Sequence, residues 1–253
     1  MAGALEQIQK TAEDVEPPTK RTKSTEAVRP SNRRRGKSLP PVLAASAFVG
    51  YLILLLLLRS NRKIKGDLAT TIYLQRREHP WLARSMRWVS WFGFRPQSVV
   101  LPASAIGGSW LLGFRLESVF LLLAWASSLA SFLTKLVVRR PRPNGPLIRI
   151  SEAKIRDTSF PSGHTIHYIT FWGFAIYLVF TKTRNRFVRW LTVAVIGPLI
   201  ALVGPSRIYL GHHWLTDVLG SYLFGMAYLL GLISLYRRLR GVAGDGEPDE
   251  RGR

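Results

Sequence analysis

The chain has 253 residues, of which 47% are apolar, and a formal net charge of +21 at pH 7. A chain that is both apolar and basic is typical of a membrane protein with basic loops. Nucleic-acid-binding proteins also carry such charge, but as basic stripes on polar helices, whereas here most basic residues stand between apolar runs. The chain has no cysteine, which excludes disulfides and thiolate metal sites. We therefore expect membrane lipids as partners, and no nucleic acid.

Residues 1–38 are polar and charged, which predicts a disordered tail. The tail ends in the basic cluster 33–37, directly before the first apolar run, where it is suited to bind anionic lipid at the cytoplasmic face. Residues 241–253 predict a second disordered tail. The sequence therefore predicts one domain, residues 39–240, between two tails.

Six apolar runs predict transmembrane helices, since about 20 apolar residues span a bilayer. They are residues 39–58, 97–113, 116–138, 165–180, 190–203 (with Pro198 as a kink) and 215–236. Between the first two runs, residues 67–92 mix apolar and basic side chains, which predicts an interfacial amphipathic stretch broken at Pro80. The expected fold is all-α, an integral membrane bundle of six transmembrane helices with that amphipathic stretch.

The run from Ser159 to Thr165 has the chemistry of an anion site. Ser162 is a good N-cap residue, which leaves backbone N–H groups at a helix N-terminus, and such an end attracts phosphate. Gly163 lets an anion approach the backbone closely. His164 can give or take a proton near neutral pH.

Two further clusters follow the third and fifth predicted spans and precede the fourth and sixth. In an alternating bundle these loops all fall on one side of the membrane. Lys135, Arg142 and Arg207 can neutralise a phosphate dianion, with Ser162 and Gly163 as additional phosphate-binding residues. The site contains no carboxylate cluster suited to Mg²⁺, so no metal and no cofactor are expected.

The predicted catalytic group is His213, His164 and Asp217. His213 and Asp217 are four residues apart and share one face of a helix, so a hydrogen bond from the imidazole to Asp217 can fix the ring's tautomer. His213 can then attack phosphorus, while His164 protonates the leaving oxygen. Arg140 and Arg149 are interpreted as solvated interface charges or headgroup contacts outside the reaction. His167 is interpreted as a packing residue or as a contact that supports the site, and His79 as a surface residue.

Three motifs carry a resemblance to a known family. They are K-x6-R-P from Lys135, P-S-G-H from Pro161 and S-R-x5-H-x3-D from Ser206. They resemble the signatures of the type 2 phosphatidic acid phosphatases, which share their site with vanadium haloperoxidases. The resemblance implies a phosphohistidine on His213, with His164 as the acid, and a lipid phosphate or pyrophosphate as substrate.

Other functions remain compatible with the sequence: a phosphotransferase using the same histidine, a non-catalytic scaffold or channel, or a vanadate-dependent peroxidase, which the six spans and small size disfavour. The sequence does not fix the oligomeric state. Basic residues at 33–37, 182–189 and 237–240 share the side of both termini. The positive-inside rule then predicts cytoplasmic termini and a site facing the periplasm or cell exterior, although residues 59–77 are basic on the opposite side.

Overall fold

The computed structural model describes residues 39–60, 64–151 and 157–244. The predicted tail before residue 39, and the part of the C-terminal tail after residue 244, lie outside them. The described helices are α1 Leu39–Arg59, α2 Lys65–Gln75, α3 Pro80–Trp91, α4 Gln97–Leu111, α5 Arg115–Val138, α6 Gly163–His167, a π-helical turn Tyr168–Trp172, α7 Gly173–Lys182, α8 Arg186–Tyr209 and α9 Leu215–Gly244. These residues contain no strand. The predicted all-α class is confirmed, and the last helix runs past its predicted end at Tyr236.

Four of these helices are long and apolar enough to cross a membrane: Pro40–Arg59, Arg115–Val138, Arg186–Tyr209 and Leu215–Gly241. The α4 helix has 15 residues, which corresponds to about 22 Å, against about 30 Å for the hydrocarbon core. The helical segment from α6 to α7 is interrupted by its π-helical turn. The protein is therefore helical and membrane-spanning, but the predicted number of six spans is not confirmed.

The helical segment from α6 to α7 forms the centre of the bundle. Tyr168, Ile169 and Phe171 of the π-helical turn are buried, and α5, α8 and α9 pack around this segment. Side chains on the outer helices face outward instead, for example Leu56 on α1 and Leu129 on α5. A helix that is apolar on all sides belongs in a protein interior, whereas an exposed apolar surface of this extent suits lipid.

The segment predicted to be an amphipathic stretch consists of α2 and α3, and the break at Pro80 is confirmed. The buried side chains of α2 are polar. Pro80 is the first residue of α3, and the backbone N–H of Trp81 donates to Nδ1 of the exposed His79, which caps the helix. Trp81 and Trp88 point outward, while Val89 is buried. The α3 helix therefore has one face packed on the bundle, against α8.

The two ends of the bundle have different chemistry. At one end, the phenol of Tyr236 donates to Glu117 over 2.7 Å, and Lys182 pairs with the same carboxylate. The predicted site residues belong to the other end, because Lys135 lies in the last turn of α5 and Asp217 in the first turn of α9. All the site chemistry described below is at that second end.

Candidate active site

A tight connection between α8 and α9 places the predicted nucleophile. Gly211 has φ +72°, and a Cβ there would lie 2.4 Å from the carbonyl oxygen of Arg149, so both the backbone and the space require glycine. The backbone N–H groups of His212 and His213 both donate to the carbonyl of Arg207, at 3.0 and 3.3 Å. The loop thus folds back over the end of α8 and turns His213 into the bundle.

The His213 ring is held by groups on both of its nitrogens. Nδ1 lies 2.7 Å from the carbonyl oxygen of Ser159 and donates to it, and Nε2 lies 3.3 Å from Nη1 of Arg142. The carboxylate of Asp217 is 3.7 Å from Nδ1, beyond hydrogen-bond length. The predicted hydrogen bond to Asp217 is therefore wrong, because the Ser159 carbonyl takes its place. Asp217 lies beside the ring without a hydrogen bond to it.

This arrangement leaves Nε2 of His213 without a proton, and its lone pair accepts a hydrogen bond from Nη1 of Arg142. With its proton on Nδ1, the neutral imidazole presents Nε2 as the basic and nucleophilic atom. Burial lowers the pKa of His213 well below its usual value, and the nearby charges of Arg142 and Arg207 lower it further. Both effects favour the neutral ring, which is the state that a nucleophile requires.

Lys135 and Arg142 meet at one carboxylate. Asp157 pairs with Nζ of Lys135 and with the guanidinium of Arg142, and Nη1 of Arg142 also donates to the His212 carbonyl at 2.6 Å. Burial acts to raise the pKa of Asp157, but the hydrogen bonds and charges of Lys135 and Arg142 outweigh it and hold the pKa below its usual value. The two predicted phosphate-binding cations therefore lie together, with an anionic group bound to both.

His164 and Arg207 meet at the aromatic ring of Phe94. The His164 ring stands edge-on to Phe94 at 4.7 Å between centroids, and the Arg207 guanidinium lies 5.0 Å from the centre of the Phe94 ring. Arg207 is buried and donates to Oγ of Ser90 over 3.3 Å. A Cβ on Gly93 would lie 2.1 Å from Cδ2 of His164. The end of α3 thus shapes the pocket of both residues.

Ser162 caps α6 as predicted. Its Oγ accepts from the Thr165 hydroxyl at 3.0 Å and, more weakly, from the Thr165 N–H at 3.5 Å, while its own N–H donates to Oγ of Ser221 at 2.7 Å. Since Oγ acts as an acceptor in both contacts, its own proton is available for an anion. Gly163 follows at the first helical position.

A cavity of about 490 Å³ connects these groups with the apolar face of α5. Its lining includes Lys135, Asp157, Gly163 and His164, together with Trp125, Leu129 and Phe132. Arg142, Arg207 and His213 do not line it, but Arg142 contacts Asp157 of the lining, and His213 contacts Arg142. The structure therefore brings the predicted cationic, N-cap and histidine residues to one end of the bundle.

Several residues of the site were not found by sequence reasoning. Arg140 is buried and pairs with Asp67 and Asp217, so its interpretation as a solvated interface charge is wrong. Burial of its guanidinium is possible because two carboxylates surround it. Asp67 and Asp157 gave no signal, because each is one acid in a polar segment. His167 is buried and stacked on Phe171, as predicted for a packing residue.

Within the described ranges, no three His, Asp or Glu residues are grouped so that they could hold a metal ion. The side chains of Lys135, Arg142 and Arg207 supply positive charge near His213.

A membrane bundle with cationic groups, a helix N-terminus and an unprotonated imidazole nitrogen has the composition of a phosphate-processing enzyme. The chain belongs to the PAP2 superfamily, whose family model matches residues 116–240, and is thus a phosphoric monoester or diphosphate hydrolase by its homology. It is 29% identical to phosphatidylglycerophosphatase B of Bacillus subtilis strain 168, over 72% of this chain and 88% of the relative. It is 31% identical to undecaprenyl-diphosphatase BcrC of the same strain, over 54% of this chain and 67% of the relative.

A solved structure supports the same assignment. The crystal structure of a transmembrane PAP2-type phosphatidylglycerolphosphate phosphatase from Bacillus subtilis superposes with a TM-score of 0.65. The two proteins are 26% identical, and the match covers 78% of this chain and 96% of that one.

Proposed function

We propose that the protein is an integral membrane phosphatase that hydrolyses the phosphomonoester or pyrophosphate group of a lipid. The candidate substrates are phosphatidic acid, phosphatidylglycerol phosphate and a polyprenyl pyrophosphate, and the names of the relatives support the last two. The domain that does this comprises residues 39–240, with membrane lipids around it.

One face of α5 carries this proposal. Trp125, Leu129 and Phe132 lie along the cavity and lead to Lys135, a spacing that places them on one side of the helix. At 1.5 Å of rise per residue, the face from Trp125 to Lys135 is about 15 Å long. A phosphate at Lys135 could therefore be joined to an apolar chain beside the same helix, which suits a lipid better than a soluble phosphate ester.

In the first step, Nε2 of His213 attacks phosphorus with its lone pair. The new bond joins nitrogen to phosphorus, and the bond from phosphorus to the leaving oxygen breaks as His164 gives that oxygen a proton. Lys135, Arg142 and Arg207 stabilise the negative charge on the phosphoryl oxygens, with the N–H groups of Gly163 and His164 as further donors.

In the second step, water replaces the histidine. His164, now without its proton, takes one from the water, whose oxygen bonds to phosphorus as the bond to Nε2 breaks. The products are inorganic phosphate and the dephosphorylated lipid, which is a lipid monophosphate when the substrate is a pyrophosphate. His213 returns to its neutral state, with the proton on Nδ1 held by the Ser159 carbonyl.

Phosphate release by the purified protein across a panel of lipid phosphates tests the function. We expect turnover of at least one of phosphatidic acid, phosphatidylglycerol phosphate and undecaprenyl pyrophosphate, and little turnover of glycerol 3-phosphate. Preference for the soluble ester would contradict the proposal. A parallel assay with added alcohols separates hydrolysis from phosphoryl transfer, which would give a new phosphate ester in place of inorganic phosphate.

Asp157 should compete with anions for Lys135 and Arg142. We expect Asp157→Asn to bind vanadate and inorganic phosphate a few-fold more tightly, since the ion pairs of a half-exposed carboxylate contribute about 1 kcal/mol or less. The measurement is the inhibition constant of each anion in the phosphatase assay. Asp157→Glu, which keeps the charge, is the matched control and should stay close to the unsubstituted protein. Weaker inhibition of Asp157→Asn would show that Asp157 positions the cations and does not compete for them.

We also propose six spans, with α4 and the α6–α7 segment completing the crossings, cytoplasmic termini and an active site that faces outward. The basic residues near Lys182 and at the end of α9 support this orientation, since they belong to the end opposite the site. A reporter active only outside the cell should give no signal when fused at Arg253, and one active only inside should give a strong signal. The reverse pattern would place the site at the cytoplasmic leaflet.

A further inference from the structure

A buried ion network lies behind the proposed nucleophile. Arg140 donates through Nη1 to Oδ1 of Asp217 and through Nη2 to Oδ2 of Asp67, and each of these distances is 2.5 Å. Asp67 also accepts the N–H of Thr216 at 2.8 Å and its hydroxyl at 2.9 Å. Asp67 is the third residue of α2 and Thr216 the second of α9, so the network joins two helices distant in sequence.

The network is almost sealed from solvent. The side chains of Asp67, Arg140 and Asp217 are 3%, 8% and 0% exposed. Leaving one charge in such a place without its partner is costly, about 3–5 kcal/mol for a broken buried pair. Two carboxylates and one guanidinium leave a formal charge of −1. A network that served only to bury Arg140 would need one carboxylate, so the second requires another explanation.

His213 explains the second carboxylate. The Oδ2 atom of Asp217 accepts the Trp214 N–H at 2.8 Å and lies 3.7 Å from Nδ1 of His213, while Oδ1 is bound by Arg140. Arg140 alone would cancel the charge of Asp217. The other charges near the His213 ring are the cations Lys135, Arg142 and Arg207, the first two of which share the carboxylate of Asp157. Their sum is positive and opposes a positive charge on the imidazole.

We propose that Asp67 is a positioning residue for His213. Its carboxylate balances the positive charge of Arg140, so that the negative charge of Asp217 beside the His213 ring is not neutralised. This inference rests on the proposed function, because a phosphorylated His213 with its proton on Nδ1 carries a positive ring. Asp67 and Asp217 together stabilise that ring through Arg140. Asp67 also holds the first turn of α9 by the Thr216 N–H, where a carboxylate is favoured by the helix dipole. Asp67 thereby sets both the net charge of the network around Asp217 and the position of the helical turn that carries Asp217.

The test is a charge rescue. Asp67→Asn keeps the size of the side chain and removes its charge. We expect kcat to fall about 10- to 100-fold, by analogy with groups that orient metal-bound histidines through hydrogen bonds. KM should stay within about threefold, since no group that touches the substrate has changed. The double variant Asp67→Asn, Arg140→Gln returns the network to −1, and we expect it to regain about tenfold in kcat over the single variant, because coupled sites are not additive.

A purely structural role predicts a different pattern. It predicts that the double variant is as inactive as the single one, or that Asp67→Asn lowers thermal stability with unchanged kcat per folded molecule, and either result would overturn the inference. Failure of both variants to fold would also overturn it. Glu78→Gln is the control, since it removes an exposed carboxylate that pairs with Arg149, and it should leave kcat unchanged.

The proposed function and this inference fail in different ways. A wild-type protein without activity on any lipid phosphate would overturn both. An active wild-type protein with an Asp67→Asn variant of equal kcat would overturn the role of Asp67 alone.

Discussion

Replacing His213 by alanine should reduce turnover by about 10⁴-fold or more, as loss of a nucleophile does in other covalent mechanisms. The reason is the Nε2 atom, the nucleophile that we propose, which stands 3.3 Å from Arg142 while Nδ1 is bound to Ser159. The measurement is kcat on the preferred lipid phosphate, with rapid-quench trapping of phosphorylated enzyme from labelled substrate. No labelled protein should form in His213→Ala.

The control for this variant is His79→Asn. His79 is an exposed N-cap of α3, and asparagine can keep the cap that the Trp81 N–H uses. We expect full activity and full labelling in this variant. If His213→Ala retained the fold of the wild type and still turned over substrate at more than about one-hundredth of its rate, another residue would have to be the nucleophile.

The motif residues could be predicted because their chemistry is local. Ser162 as an N-cap and Gly163 at a helix start follow from the residue types in one short run, and the structure places both so. Asp217 shows the limit of such reasoning. Its spacing from His213 predicts a direct hydrogen bond, but the contact depends on the path of a different loop, and there the carbonyl of Ser159 is closer.

Asp67 and Arg140 could not be found for the same reason. They are separated by 73 residues along the chain, and each stands in a segment rich in charged residues. In such a segment, a charge that is buried and one that is solvated look alike. Burial is decided by the packing of α2 against α9, which no pattern within either segment encodes. An unexpected carboxylate partner is therefore what sequence reasoning misses most easily in a cationic site.

The number of spans shows the limit of composition. Residues 165–180 are apolar enough to predict a transmembrane span, and in the structure Thr165, Thr170 and Phe174 of this segment are all buried. The hydroxyls of Ser127 and Thr170 are 2.7 Å apart in the interior. An apolar run indicates that a segment is shielded from water, but it does not distinguish burial in protein from exposure to lipid. Helix α4 is likewise apolar but short.

The α3 helix gives the second large prediction. Its last turn leads to Gly93, where a Cβ would lie 2.1 Å from Cδ2 and 2.8 Å from Nε2 of His164. Gly93 needs no positive φ, so alanine is compatible with its backbone. The cost must fall on the position of His164. We expect Gly93→Ala to fold and to lose about 10²-fold in kcat, the usual effect of a displaced catalytic group.

The loss in Gly93→Ala should depend on the leaving group. An alkyl phosphate needs its departing oxygen protonated, whereas an aryl phosphate departs well without an acid, so we expect the larger loss on the lipid substrate and a smaller one on p-nitrophenyl phosphate. Gly107→Ala, in α4 with no atom within 4 Å of its added Cβ, is the matched control and should be active on both. Equal losses on the two substrates would mean that His164 does not protonate the leaving oxygen. They would indicate instead that Gly93→Ala acts on phosphate binding, through Phe94 and Arg207.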